Sequence, residues 1–174
     1  AILCGAKLVW PNQFAGQADK IVRLMQQEKV DISMAVPTVW TAIRNYLQQY
    51  PQINLRLKRA ISWGSSAPLA LIQSMQDLGI QLENGWGMTE TSSLGAINRT
   101  ELISEQFDPQ SIKCGRPGFG MQMRLKHFDG TELEHDGVQE GVLEIRGHSV
   151  VQQYINASEE QKTLQAEMKW FDTG

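Results

Sequence analysis

The sequence predicts an α/β protein, with a parallel βαβ sheet subdomain followed by a smaller, antiparallel β-rich subdomain. Three observations carry this. Between residues 16 and 84, apolar stripes at helical spacing alternate with short strand-like runs, the pattern of parallel βαβ units. After about Arg99 the chain turns polar through Asp108-Pro109. It is then rich in turn formers along Cys114-Gly115-Arg116-Pro117-Gly118-Phe119-Gly120. Beyond that point apolar residues alternate with polar ones around a tight-turn signal at Asp129-Gly130, which reads as antiparallel hairpins. The expected division is 1–112 for the α/β part and 113–174 for the β-rich part.

Gly16 to Lys29 carries Ala18, Ile21, Val22 and Met25 on one helical face. Val30 to Val36 alternates strictly, which is strand period. Pro37 suits a first helical turn, and Val39, Trp40, Ile43, Tyr46 and Leu47 continue as a stripe to about Tyr50, where Pro51 stops it. Ala60-Ile61-Ser62-Trp63 is a short strand. Ser65 or Ser66 is placed to cap a helix with Pro68 near its start and Leu69, Ile72 and Met75 on one side, ending at Gly79. Ile80-Gln81-Leu82-Glu83-Asn84 is the next strand, with a loop from Asn84 to Glu90 after it. In the second half, Met121, Met123 and Leu125 mark one strand, Val142 to Gly147 another, and Val150 to Tyr154 a third. Ser158-Glu159-Glu160-Gln161 fits a capping box opening a helix to about Lys169.

The 174 residues carry 16 Lys and Arg against 19 Asp and Glu, a net charge of −3 with both signs scattered, which argues against a nucleic-acid footprint. No apolar run approaches membrane-spanning length. The start, Ala1 to Lys7, lacks both an initiator Met and a signal-like leader, so the cytoplasm is the expected compartment. With its turn-like end at Phe171-Asp172-Thr173-Gly174, the chain reads as a piece of a longer protein. Cys4 and Cys114 have no metal spacing and are expected to be reduced and inert. His127, His135 and His148 lack a partner at metal or triad spacing. The acidic run Glu132 to Asp136 is expected on a solvated hairpin, and Arg116 in a structural salt link. A homo-oligomer is left open.

The run Gly85-Trp86-Gly87-Met88-Thr89-Glu90 is the most informative. Glycine admits close backbone approach to a ligand. The Trp86 indole can stack on a flat base, Thr89 can hydrogen-bond a phosphate oxygen, and Glu90 can hold a hard cation beside it. Taken singly, Trp86 reads equally as a core aromatic and Glu90 as a first-turn helix carboxylate. The preceding loop, Trp63-Gly64-Ser65-Ser66-Ala67-Pro68-Leu69, reads either as an ordinary strand-to-helix turn or as a ligand loop at the carboxyl edge of a sheet. Two such loops on successive parallel strands emerge at the same edge, and the joint pattern favours a nucleotide, phosphate and metal site. Trp40 and Tyr46, with Trp63 and Met88, line either an apolar acyl slot or a helix-to-sheet core.

The two loops resemble the motifs of the adenylate-forming (AMP-binding) enzymes. Trp86 stands where that family's Tyr-Gly-x-Thr-Glu motif has tyrosine. The resemblance implies that Ser66, Ala67 and Pro68 flank the adenine, Asn84 bonds its exocyclic amine, and Trp86, between Gly85 and Gly87 and followed by Met88, covers its face. It implies that Thr89 contacts the α-phosphate and Glu90 ligates Mg²⁺, these two being the catalytic pair. Gly115-Arg116-Pro117-Gly118, Gly141 to Gly147 (with Val142 where glutamate is usual) and Lys169 to Gly174 resemble further motifs in family order, the chain stopping one position before the family's ribose-binding aspartate. The Val36-Pro37-Thr38-Val39-Trp40 run and the Trp86 variant look most like medium- and long-chain fatty acyl-CoA synthetases. The chain is then an internal part of their large N-terminal domain, with 1–112 as its nucleotide- and acyl-binding portion. ATP, Mg²⁺, coenzyme A and a fatty acid are the implied cofactors and substrates. The family's Ser/Thr/Gly-rich phosphate loop ending in Pro-Lys and its C-terminal lysine are not in this sequence, so these residues alone are expected to be inactive. The alternatives are an adenylating enzyme for another carboxylic acid, with coenzyme A or a carrier protein as acceptor, and a non-catalytic α/β binding module.

Overall fold

The computed structural model describes residues 4–98, 113–156 and 170–174. By internal packing the chain divides into two units, residues 1–85 with 98–114 and residues 86–97 with 115–174.

In the first unit, helix α1 (Ala18–Gln27) buries Ile21, Val22 and Met25, the stripe its spacing dictates. Strand β1 (Ile32–Ala35) follows, then helix α2 (Pro37–Gln49), which starts on Pro37 and buries Trp40, Ile43 and Leu47. Strand β2 (Arg59–Ser62), helix α3 (Leu69–Asp77) and strand β3 (Gln81–Trp86) complete two βαβ units. The strands pair in parallel, Ile32 opposite Arg59 and Arg59 opposite Gln81. Gly79 ends α3 in the left-handed conformation at φ +75°, and the Ile80 amide returns to the Met75 carbonyl at 3.0 Å.

One core joins all three helices to the sheet through Ala60 and Leu82. Trp40 lies at its centre with no exposed surface, and its indole N–H donates to the Ile61 carbonyl on β2 at 3.0 Å. Glu83 is buried on β3 and is paired with Arg59 of β2 at 2.6 Å, so the one charge sealed in this sheet has its counter-charge across the ladder. On β1 the inward residues are the small Ser33 and Ala35, while Ile32 and Met34 face out at 54% and 57% exposure.

In the second unit, strands β4 (Ala96–Ile97) and β5 (Arg116–Pro117) pair antiparallel. Strands β6 (Met121–Lys126), β7 (Glu132–Leu133), β8 (Val142–Gly147) and β9 (Phe171–Asp172) form an antiparallel sheet in the order β7-β6-β8-β9. The Asp129-Gly130 turn closes the β6–β7 hairpin with Gly130 at φ +89° and the His127 amide on the Thr131 carbonyl. In that turn His127 Nδ1 sits 3.2 Å from Asp129, a pairing the sequence reading did not anticipate. The Arg124 and Arg146 guanidinium groups lie over the Trp170 ring, at 4.4 and 4.3 Å from its centre, and Arg124 also binds the buried Glu144 at 2.6 Å.

Several local expectations are corrected. Neither Ser65 nor Ser66 caps α3; the cap position is Pro68, extended at φ −59°, ψ 144°, with no side-chain bond. Strand β3 runs on to Trp86, because Gly85 stays extended beneath Trp63. Residues 150–154 form no strand: the segment bonds to the turn at Glu90 instead, through the Val151 amide on the Glu90 carbonyl and the Tyr154 hydroxyl on the Glu90 carboxylate. The strand-like opening of the chain is irregular from residue 4 to 11, and Arg116 forms no salt link among the described residues. The capping box at 158–161 lies outside the described residues. Among the described residues no helix is long and apolar enough to cross a membrane.

Trp40→Ala is expected to cost about 3–5 kcal/mol by leaving a cavity in the core. Trp40→Phe, which mainly loses the bond to Ile61, is expected to cost about 1–3 kcal/mol. Urea denaturation followed by circular dichroism measures both, and equal losses would show that ring volume carries nothing.

Candidate nucleotide site

Parallel pairing sets Ser62 at the end of β2 opposite Asn84 on β3. The turns that leave the two strands therefore start at one carboxyl edge. A side-chain bond ties them: the Ala67 amide donates to Asn84 Oδ1 at 2.9 Å, and Asn84 Nδ2 reaches Ser66 Oγ at 3.5 Å. Asn84 and Ala67 are buried at 4% and 2% exposure, whereas Ser65, Ser66 and Pro68 are exposed. Ser66, Ala67 and Asn84 are thus brought together. Asn84 Oδ1 retains a second lone pair, the feature an adenine amine needs.

Gly85 has a reason of its own to lack a side chain. A Cβ there would lie 2.9 Å from the Trp63 ring and 3.3 Å from Ile61. The indole of Trp63 thus rests on the Gly85 backbone.

In the second unit, Trp86, Gly87 and Met88 lead into a single 3₁₀ turn, Thr89–Thr91. Thr91 is fully buried, and its hydroxyl accepts the Met88 amide at 3.0 Å and donates to the Met88 carbonyl at 2.9 Å. Ser92 and Ser93 then take positive φ, at 51° and 78°, and turn the chain back so that the Gly95 amide reaches the Trp86 carbonyl at 2.9 Å. A Cβ on Gly87 would fall 2.2 Å from the Ser93 carbonyl oxygen. One on Gly95 would fall 2.4 Å from Cζ3 and 2.6 Å from Cε3 of Trp86, so Gly95 lies against the edge of the indole that was expected to stack on a base.

Trp86 and Glu90 are half-buried and Thr89 is exposed, its hydroxyl without a hydrogen bond among the described residues. The Glu90 carboxylate accepts one bond through Oε1, from the Tyr154 hydroxyl at 2.8 Å, while the Glu90 carbonyl accepts the Val151 amide at 2.7 Å. The bond to Glu90, and the charge beside it, raise the Tyr154 phenol above its ordinary value. Among the described residues Oε2 has no partner, and no group of three or more His, Cys, Asp or Glu side chains could cage a metal. One open carboxylate oxygen without an all-protein cage suits Mg²⁺, which keeps waters and takes substrate phosphates as ligands.

Trp40 takes the core alternative, being sealed with its N–H already used, and Tyr46 packs against Tyr50 with ring centres 4.7 Å apart. The sequence reading gave Thr91, Gly95, Val151 and Tyr154 no part in the site, placing the last two in a strand. For Thr91 a signal existed, a threonine three residues after Met88 at the mouth of a turn.

Residues 1–155 match the AMP-binding enzyme family. The chain is 32% identical over 180 residues to 3-methylmercaptopropionyl-CoA ligase of Ruegeria lacuscaerulensis, covering 99% of this chain and 32% of that protein. It is 31% identical to the medium-chain-fatty-acid–CoA ligase of Ectopseudomonas oleovorans, covering 100% of this chain and 32% of that protein. The chain thus spans about a third of the length of the curated relatives it matches. Its fold is similar to the inhibitor-bound N-terminal domain of FACL13 from Mycobacterium tuberculosis, with a TM-score of 0.74 and 25% identity over 91% of this chain and 38% of that one.

Gly87→Ala is expected to cost at least about 1–3 kcal/mol, since its methyl meets backbone rather than a movable side chain. Gly16→Ala, which meets nothing within 4 Å, is expected to stay within about 0.5 kcal/mol. Thermal denaturation of the two variants checks the contrast.

Proposed function

Because the chain belongs to the AMP-binding enzyme family, we propose that it is an internal part of the large N-terminal domain of an ATP-dependent acyl-CoA synthetase. The parent activates a medium- or long-chain fatty acid as its acyl-adenylate and passes the acyl group to coenzyme A. The reading rests on the Ala67–Asn84 hydrogen bond at the carboxyl ends of two neighbouring parallel strands, with Trp86, Thr89 and Glu90 following in the same run.

A carboxylate is a poor acyl donor because its leaving group is oxide. Attack of the carboxylate on the α-phosphate of ATP expels pyrophosphate and installs AMP as the leaving group; the thiol of coenzyme A then displaces AMP. In this reading Ser66, Ala67 and Pro68 flank the adenine, Asn84 accepts from its amine, and Trp86 covers the ring, with Gly85, Gly87 and Met88 shaping the backbone around it. Thr89 donates its free hydroxyl to the α-phosphate, and Glu90 holds the metal through Oε2. Mg²⁺ bound there neutralises the charge that builds on the phosphates. Residues 1–112 serve the nucleotide and acyl group, and 113–174 form the β-rich portion. The cytoplasm, where ATP and coenzyme A are held, is the proposed compartment.

Identity at the same level to a ligase named for a short thioether acid, 32% against 31%, favours a second reading in which that kind of acid is the substrate. The full-length parent, given ATP, Mg²⁺, coenzyme A and acids from propanoate to palmitate, is expected to show its highest kcat/KM with medium or long chains. A maximum at 3-methylmercaptopropionate selects the second reading, and pyrophosphate release with no acid rejects both. The 174 residues alone are expected to release none, since the Pro-Lys phosphate loop and the catalytic lysine of the family are not among them.

A further inference from the structure

Residues 149–154 fasten to residues 90–92 at three points. The Ser92 hydroxyl donates to the Ser149 carbonyl at 3.0 Å, the Val151 amide donates to the Glu90 carbonyl at 2.7 Å, and the Tyr154 hydroxyl donates to Glu90 Oε1 at 2.8 Å. All of these residues lie within the second unit. Glu90 is therefore held at both its backbone and its carboxylate by one segment some 60 positions away in sequence. Tyr154 is half exposed, and its hydroxyl is the one group among the described residues hydrogen-bonded to the Glu90 carboxylate.

We propose that Tyr154 is a positioning residue for the metal-holding carboxylate: its hydroxyl occupies Oε1, fixes the rotation of the carboxylate plane, and leaves Oε2 presented to the cation. This rests on the reading of Glu90 as the Mg²⁺ ligand. A glutamate with several rotatable bonds loses rotamer freedom when it binds a cation, and a hydrogen bond already holding one oxygen lowers that loss. The bond is to a charged acceptor and so is stronger than one between neutral groups. Carboxylates that ligate metals are themselves hydrogen-bonded, and removal of such a partner typically weakens metal binding 10- to 100-fold. The Val151 bond sets where the Glu90 backbone lies; only the Tyr154 bond sets where the carboxylate points.

The experiment uses the full-length parent with Mn²⁺ as the metal probe and α,β-methylene-ATP as a nucleotide that cannot be cleaved at the reacting bond. Free Mn²⁺ is read by electron paramagnetic resonance, and nucleotide affinity without metal by calorimetry in EDTA. Tyr154→Phe is expected to weaken Mn²⁺ binding to the enzyme–nucleotide complex about 10-fold, with metal-free nucleotide affinity unchanged. Ser92→Ala, which cuts another tie to the same segment without touching the carboxylate, is expected to bind Mn²⁺ as the unaltered protein does. Unchanged or tighter Mn²⁺ binding in Tyr154→Phe overturns the proposal. So does an equal loss in Ser92→Ala, or a parallel loss of metal-free nucleotide affinity, because either would make the contact general scaffolding. Glu90→Gln separates the two levels: if it leaves Mn²⁺ binding intact, the metal assignment itself fails, whatever Tyr154 does.

Discussion

The bond from the Ala67 amide to the Asn84 side chain fixes more of this molecule than its size suggests. Parallel pairing alone brings the ends of β2 and β3 level, but it leaves the turn after β2 free to take many paths. A buried amide side chain must find partners, and Asn84 finds them in the backbone of Ala67 and the hydroxyl of Ser66. The turn is thereby drawn over the end of the neighbouring strand, and Pro68 then launches α3 at a set angle. At the same strand end, the Trp63 ring comes as close as it does only because Gly85 offers bare backbone.

The parts of the fold that were legible in the sequence are those decided locally. Ile21, Val22 and Met25, and likewise Trp40, Ile43 and Leu47, repeat at the helical interval, and that interval alone tells which face is covered. Gly79 and Gly130 mark reversals because their backbone angles exclude most other residues. What was missed depends on distant neighbours. Val150 to Tyr154 has the composition of a strand, yet its backbone and side-chain bonds go to Glu90, a residue some 60 positions earlier that no local pattern points to. Local rules favoured a serine cap on α3, but Ser66 faces Asn84 instead.

The candidate site divides the same way. Its residue types were readable as a run, since an aromatic, a hydroxyl and a carboxylate in six positions carry their chemistry on their face. The reasons for the glycines were not. Gly85 and Gly87 were read as room for a ligand, while the structure fills that room with the chain's own atoms, Gly85 against the Trp63 ring and Gly87 against the Ser93 carbonyl. Tyr154 had no local signal at all, because a half-exposed tyrosine far along the chain says nothing by itself about a carboxylate near Trp86.

Ser92 and Ser93 sit in a backbone region that L-residues with a side chain enter only at a cost of roughly 1–2 kcal/mol each. The tight return after Thr91 demands it, so the native state carries this strain permanently. Ser92 recovers part of it through its bond to Ser149; Ser93 has no such compensation among the described residues. Ser93 is thus an untapped reserve for engineering heat tolerance: a glycine there would relax the backbone while leaving Trp86, Thr89, Glu90 and Tyr154 in place.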